Sequence, residues 1–194
     1  MTRGDKMKEN YKEILCENTI IPTKRMKLRK FTIEDADAVY EYGSDELTVK
    51  YLTWEGISDR EAAEKVITGF YSEDGVYALE LNDTKQCIGC ISLRIDADHE
   101  KASFGYVLHR SYWDHGYMTE ALTAIIELSF RKLNLNRVEA THYIGNEGSG
   151  KVMKKCGMRK EGLAIQEVKI KGVYRDVVHY GITKEQWSGF RIRN

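Results

Sequence analysis

Apolar side chains recur along this chain with a period near four in some stretches and two in others, and each change of period marks an element. Residues 27–31 alternate like a strand and run through Thr32-Ile33-Glu34-Asp35 into Ala36, Val39 and Tyr40, whose spacing predicts a helix reaching about Glu41. Ser58 followed by Glu61 reads as a capping box opening a second helix, with Ala62, Val66 and Phe70 as its apolar stripe. Short apolar or alternating runs follow at 76–81, 87–95 and 102–108. The turn chemistry between them, at Asn82-Asp83 and over 96–101, predicts a meander of two hairpins. A long helix is expected over 117–132, with Leu122, Ile125, Ile126, Ser129 and Leu133 along one face. Residues 137–142 then read as a strand and 148–156 as a short helix stopped by Gly157, before two final strands around Lys171-Gly172. Residues 1–20 are polar, show no sustained period, and read as a loosely attached, flexible arm.

Strands first, a helix between strands and a closing hairpin make a mixed α/β (α+β) layout. There is no internal repeat and no linker-like stretch, and the single proline is Pro22, so residues 21–190 read as one domain. Hydrophobic residues at 42% leave enough apolar mass for a core. Lys+Arg and Asp+Glu balance at 30 each, so no global field recruits nucleic acid or an anionic membrane. No run approaches the roughly 20 apolar residues of a membrane span, and no apolar stretch follows the charges of the first fourteen residues, which points to the cytoplasm.

Of the cysteines Cys16, Cys87, Cys90 and Cys156, the middle two have the spacing of a redox or zinc motif. On a regular strand, residues three apart point to opposite faces, so the two thiols are expected to be small buried hydrophobes rather than metal ligands.

The chemistry concentrates in two places. Around 106–120 a strand ends, a short loop contains Gly116, and a long helix begins at once, placing first-turn N–H groups and a positive dipole end where an anion could sit. About thirty residues later, Asn146-Glu147-Gly148-Ser149 opens another helix. Either feature alone is as well explained as an ordinary connection or an ordinary Asn N-cap.

Together and in order, these pieces resemble the GNAT acetyltransferase superfamily, in its RimJ/RimL-like branch. The resemblance runs from about Pro22 to Trp187. It rests on Thr23-Lys-Arg-Met-Lys-Leu-Arg29 with Phe31-Thr-Ile-Glu-Asp35, Tyr51-Leu-Thr-Trp54, Ile88-Gly89 and Gly105-Tyr106. It continues in Tyr112-Trp113-x-x-Gly116-Tyr-Met-Thr-Glu-Ala121, Asn146-x-x-Ser149, Gly157 and Gly172-x-Tyr174-x-Asp176.

The resemblance implies a central mixed, mostly antiparallel sheet flanked by helices, with two parallel strands splayed apart. It implies an acetyl-CoA-dependent N-acetyltransferase with a primary amine as acceptor. By resemblance, Val107 and Leu108 offer backbone to the pantetheine arm, and an N–H there polarises the thioester carbonyl. Trp113, Asp114, His115, Gly116, Tyr117, Met118 and Thr119 form the loop whose N–H groups hold the diphosphate. Asn146 bonds the pantetheine arm, and Ser149 protonates the departing thiolate. No metal is implied.

Three departures bear on this. Asp114 stands where the branch commonly has glycine, and its carboxylate either caps Gly116 or Tyr117 or turns to solvent. Met153 stands where many superfamily members carry an acidic tyrosine. Val168 stands where one branch member has a basic glutamate, and Glu167 beside it is expected to face the other way, leaving the base unassigned. No cysteine sits beside an evident activating group, so direct attack by the amine in a ternary complex is expected. His109, His115 and His142 lie near the two segments, where exposure or ordinary hydrogen bonding is as good a reading as catalysis. Tyr51 and Trp54 either border an acceptor groove or pack between helices.

The acceptor implied by the branch is a protein N-terminal α-amine, with polyamines, amino acids and antibiotics open beside it. A module that binds coenzyme A without turnover is the rival reading, favoured by Asp114 and Met153 and opposed by Asn146 and Ser149. Monomer and homodimer both remain open.

Overall fold

The computed structural model describes residues 3–192. Eight strands hydrogen-bond in the order β1-β2-β3-β4-β5-β6-β8-β7. In chain order these are β1 (Ile20–Pro22), β2 (Met26–Arg29), β3 (Val76–Leu81), β4 (Cys87–Asp96), β5 (Lys101–Leu108), β6 (Arg137–Tyr143), β7 (Arg159–Ile170) and β8 (Val173–Thr183). The helices are α1 (Arg3–Glu17), α2 (Ala36–Ser44), α3 (Glu46–Val49), α4 (Arg60–Thr68), α5 (Tyr117–Arg131), α6 (Glu147–Lys155) and α7 (Lys184–Ile192). The pairs β1–β2, β2–β3, β3–β4, β6–β8 and β7–β8 are antiparallel, whereas β5 and β6 pair in parallel, with a register from Lys101↔Arg137 to Ser103↔Glu139. Among the described residues, no helix is long and apolar enough to cross a membrane.

Contacts divide the chain into two compact units. One comprises Leu15–Ser92 with Gly105–Ala121. Its core gathers Ala36, Val39 and Tyr42 of α2, Ala63 and Ile67 of α4, and Cys90 and Val107 of the sheet. The predicted stripe on α2 is thus shifted, since Tyr40 is exposed and Tyr42 takes the buried place. The cap of α4 is also one residue along. Asp59, rather than Ser58, accepts the Ala62 N–H at 2.8 Å, while the Ser58 hydroxyl donates to Asp59. A carboxylate competes better than a hydroxyl for an N–H at a positive helix end. The buried positions become Ala63 and Ile67, with Ala62 and Val66 packed at the margin and Phe70 beyond the helix in a 3-10 turn.

The other unit comprises Leu93–Phe104, the chain from Leu122 onward and the start of α1 up to Ile14. Leu122, Ile125, Ile126, Ser129 and Leu133 are all buried, as their spacing predicts, and Ser129 satisfies its hydroxyl on the Ile125 carbonyl at 2.8 Å. Around the β7–β8 hairpin, Lys171 (φ 49°) and Gly172 (φ 77°) make the two-residue turn.

Two expectations fail here for physical reasons. Residues 3–17 are α-helical rather than an irregular arm, and Tyr11 and Leu15 are buried. A stripe of two buried positions four apart is too sparse to stand out in so polar a stretch. Residues 1 and 2 lie outside the described residues. Cys87 and Cys90 do share a face: they stand opposite Glu80 and Ala78, two positions apart on β3, because β4 carries one extra residue between them. That β-bulge at Ile88–Gly89 breaks the regular alternation of faces along the strand.

Candidate active site

The loop before α5 is built by local geometry. His109 opens a 3-10 turn over Arg110–Tyr112, its Nδ1 accepting the Ser111 N–H at 3.1 Å, while its Nε2 lies 3.4 Å from Glu41. That imidazole is occupied as a cap. Trp113 Nε1 donates to the Leu108 carbonyl at 2.7 Å, pinning the loop to the end of β5. Asp114 (φ 60°) and Gly116 (φ 81°) then adopt left-handed conformations that turn the chain into α5. Asp114 is exposed, and its carboxylate caps neither Gly116 nor Tyr117; among the described residues it takes no hydrogen bond or ion pair. The solvent-facing alternative holds, and Asp114 occupies a backbone conformation more natural to glycine.

Val107 turns its side chain into the core beside α2 and α4, so its backbone is what it can offer a ligand. Gly89 sets the position of that backbone. A Cβ there would lie 2.4 Å from the Val107 carbonyl oxygen and 3.1 Å from Leu108 Cα. The bulge therefore lets β4 approach the end of β5 more closely than any side chain permits. Next to it, His109 N–H donates to the Ile88 carbonyl at 2.8 Å.

Arg25, to which sequence reasoning gave no role, is tied into the same loop. Its Nε donates to Glu120 at 2.8 Å, its Nη1 donates to the His115 carbonyl at 2.9 Å, and its guanidinium stacks 4.2 Å from the centre of the Tyr117 ring. The Thr23 hydroxyl and the Arg25 N–H also donate to Glu120, at 2.6 and 2.7 Å. Burial pushes the Glu120 carboxyl up, but these donors outweigh it and hold the group below the usual carboxylate range.

In the other unit, Asn146 is the N-cap of α6, with Oδ1 3.5 Å from the Ser149 N–H. That distance is long for such a bond, so capping engages the amide only weakly. Ser149 sits in the first turn of α6, whose height is fixed by the next residue: a Cβ on Gly150 would fall 2.8 Å from Nε2 of buried His142. His142 is thus packing under α6, with Nδ1 3.0 Å from the Tyr143 carbonyl oxygen. Met153 is fully buried and supplies no alternative acid.

Glu167 does not face away as expected. The register of β7 on β8 shifts between Ala164 and Val168, where Gln166 takes φ 51°, and the irregularity brings Glu167 Oε2 to 2.7 Å from His179 Nε2. Alternation over 165–168 could not have shown this, because the bulge is what breaks it.

Burial raises the Cys87 thiol to about 12 and the Cys156 thiol to about 11, and pushes Cys90 up as well. None of these three is a thiolate near neutral pH. Trp54 packs against the α2–α4 core, which is the structural of its two readings, and Tyr51 lies under the Lys50 ammonium at 5.2 Å.

Residues 25–159 match the model of the acetyltransferase (GNAT) domain. The chain belongs to the GNAT acetyltransferase family. An N-acetyltransferase of Bacillus licheniformis, p20, is 32% identical over 173 residues, covering 86% of this chain and 97% of the relative. The ribosomal protein uS5-alanine N-acetyltransferase of Escherichia coli is 26% identical over 147 residues, covering 70% of this chain and 76% of that enzyme. A solved GNAT-family acetyltransferase from Bacillus anthracis superposes with a TM-score of 0.80 at 28% identity, over 86% of this chain and 99% of that one. This GNAT chain is therefore an acetyl-CoA-dependent N-acetyltransferase with relatives in the ribosomal-protein branch.

Proposed function

We propose that this GNAT enzyme acetylates a protein N-terminal α-amine in the cytoplasm, by direct attack of the amine on acetyl-CoA. The observation that carries the donor side is the loop before α5. Two left-handed residues, Asp114 and Gly116, lead directly into the first turn of a fifteen-residue helix, and the exposed Asp114 carboxylate does not cap that turn. Backbone N–H groups at a helix start, reinforced by the dipole, suit a diphosphate.

On this reading residues Trp113 to Thr119 bind the diphosphate and Val107–Leu108 pairs with the pantetheine arm. Asn146 bonds that arm with an amide that its weak cap leaves available. Ser149 holds its hydroxyl in the first turn of α6, where a positive helix end favours the charge left when it passes a proton to the thiolate. The Glu167–His179 pair is the group we assign to take the amine's proton, since a carboxylate at 2.7 Å fixes the imidazole's orientation. Buried, protonated thiols at Cys87, Cys90 and Cys156 support direct attack over a covalent acyl-enzyme.

A screen of acceptors with acetyl-CoA tests the proposal by release of free thiol. Peptides with free N-termini are expected to support turnover above polyamines, amino acids and aminoglycosides. Faster release with a polyamine would reassign the acceptor, and no amine-dependent release with any of them would remove the transfer reading.

A further inference from the structure

Arg25 sits just before β2, far in sequence from the loop that precedes α5, yet its side chain reaches both that loop and the first turns of the helix. Nε is held by Glu120 at 2.8 Å, and the ring of Tyr117 lies under the guanidinium. With those two contacts fixing its plane, Nη1 reaches the His115 carbonyl at 2.9 Å. Nη2 makes none of these bonds and lies 3.6 Å from where a Cβ on Gly116 would stand. Glu120 in turn receives the Thr23 hydroxyl and the Arg25 N–H and is followed along the helix from Gly116, whose carbonyl accepts the Glu120 N–H at 3.1 Å.

The His115–Gly116 peptide is planar and trans, so its carbonyl and its N–H point in opposite directions. A guanidinium that captures the His115 carbonyl therefore fixes the direction of the Gly116 N–H, aiming it away from Arg25. Gly116 holds a positive φ of 81°, a region open to glycine, so this peptide is free to turn about the bonds to the His115 and Gly116 Cα atoms unless its carbonyl is held. Only a fork-shaped cation can hold a carboxylate through one nitrogen and a carbonyl through another while lying flat on a ring.

We propose that Arg25, anchored by Glu120, is a positioning residue for the cofactor: it presets the Gly116 N–H to receive the diphosphate of acetyl-CoA. The inference rests on the assignment of this loop to the diphosphate. Arg25 acts through the peptide it holds, so its loss weakens ligands that carry a diphosphate and spares those that do not.

The test is a cycle of two ligands on three proteins: acetyl-CoA and S-acetylpantetheine, which lacks the diphosphate, titrated into wild type, Arg25→Met and Arg25→Lys. For Arg25→Met we expect acetyl-CoA to bind at least tenfold more weakly, and S-acetylpantetheine to change less than twofold. Arg25→Lys restores thermal stability but not acetyl-CoA affinity, because one ammonium cannot span Glu120 and the His115 carbonyl together. If Arg25→Met does not fold, Glu120→Gln stands in, with an expected loss of threefold or more for acetyl-CoA alone. Equal weakening of both ligands would show a merely structural role, and no weakening of either would show that the loop is set without Arg25; each overturns the proposal. Wild type that binds no acetyl-CoA would remove the loop's assignment, and the clamp with it.

Discussion

Replacing Gly89 by alanine should damage the end of β5 more than the size of a methyl group suggests. The added Cβ would lie 2.4 Å from the Val107 carbonyl oxygen, about 0.9 Å inside the roughly 3.3 Å at which carbon and oxygen make a favourable contact. Its other neighbours are Leu108 Cα at 3.1 Å and Leu108 Cδ1 at 3.3 Å, so two of the three atoms in its way are backbone and cannot rotate aside. The strand end must move by most of an ångström, and with it goes the 2.8 Å bond from His109 N–H to the Ile88 carbonyl. Overpacking of this kind costs about 1–3 kcal/mol. In a chain of this length that lowers Tm by about 2–4 °C for each kcal/mol. If Val107–Leu108 is the backbone that aligns the thioester, the same displacement lowers kcat by roughly 100-fold, since an ångström of misplacement at a reacting centre has that scale of effect. Thermal unfolding with and without acetyl-CoA, together with thiol release in the presence of the best amine, measures both. A Gly89→Ala protein with wild-type Tm would refute the steric argument. One that is destabilised yet turns over normally would refute the assignment of Val107–Leu108.

Ser149→Ala should fold normally and bind acetyl-CoA as wild type does, while kcat falls by roughly 100-fold, the scale of lost general acid catalysis; unchanged turnover would give the proton to water. Asp114→Gly relieves a left-handed aspartate at a gain of at most about 1 kcal/mol. Tm should rise by a few degrees and acetyl-CoA affinity change less than twofold at high salt, whereas a tenfold tightening would place the carboxylate among the diphosphate's donors. Folded-state pKa values are lowered at Glu80, Glu120, Glu139 and Glu161, in each case by neighbouring cations or donors, with burial opposing at all four. Their contribution is therefore complete above the unfolded carboxylate value of about 4.3 and is lost as pH falls through the folded values. Tm should be steady between about pH 5 and 7 and drop below that range, and a Tm that held or rose on acidification would contradict these pairings.

The sequence by itself determined the succession of elements, because burial of one face imposes a period that can be counted. Leu122 to Ser129 on α5 and the runs at 76–81 and 102–108 were legible for that reason. It also determined the two chemically informative helix starts, since glycine, asparagine and serine at those offsets leave a signature in the residues themselves. Tertiary structure decided the places where periodicity is broken or where partners are distant in sequence. One extra residue in β4 put Cys87 and Cys90 on the same face and brought Gly89 against Val107, and the irregularity in β7 turned Glu167 to His179. A bulge has no composition of its own and is recognised only by its partner strand. The pairing of Arg25 with Glu120 spans 95 positions and depends on how β2 lies against the first turns of α5. Neither residue's neighbours in sequence could announce it, because a charge on a chain shows what it can bind but not which partner the fold will bring within reach.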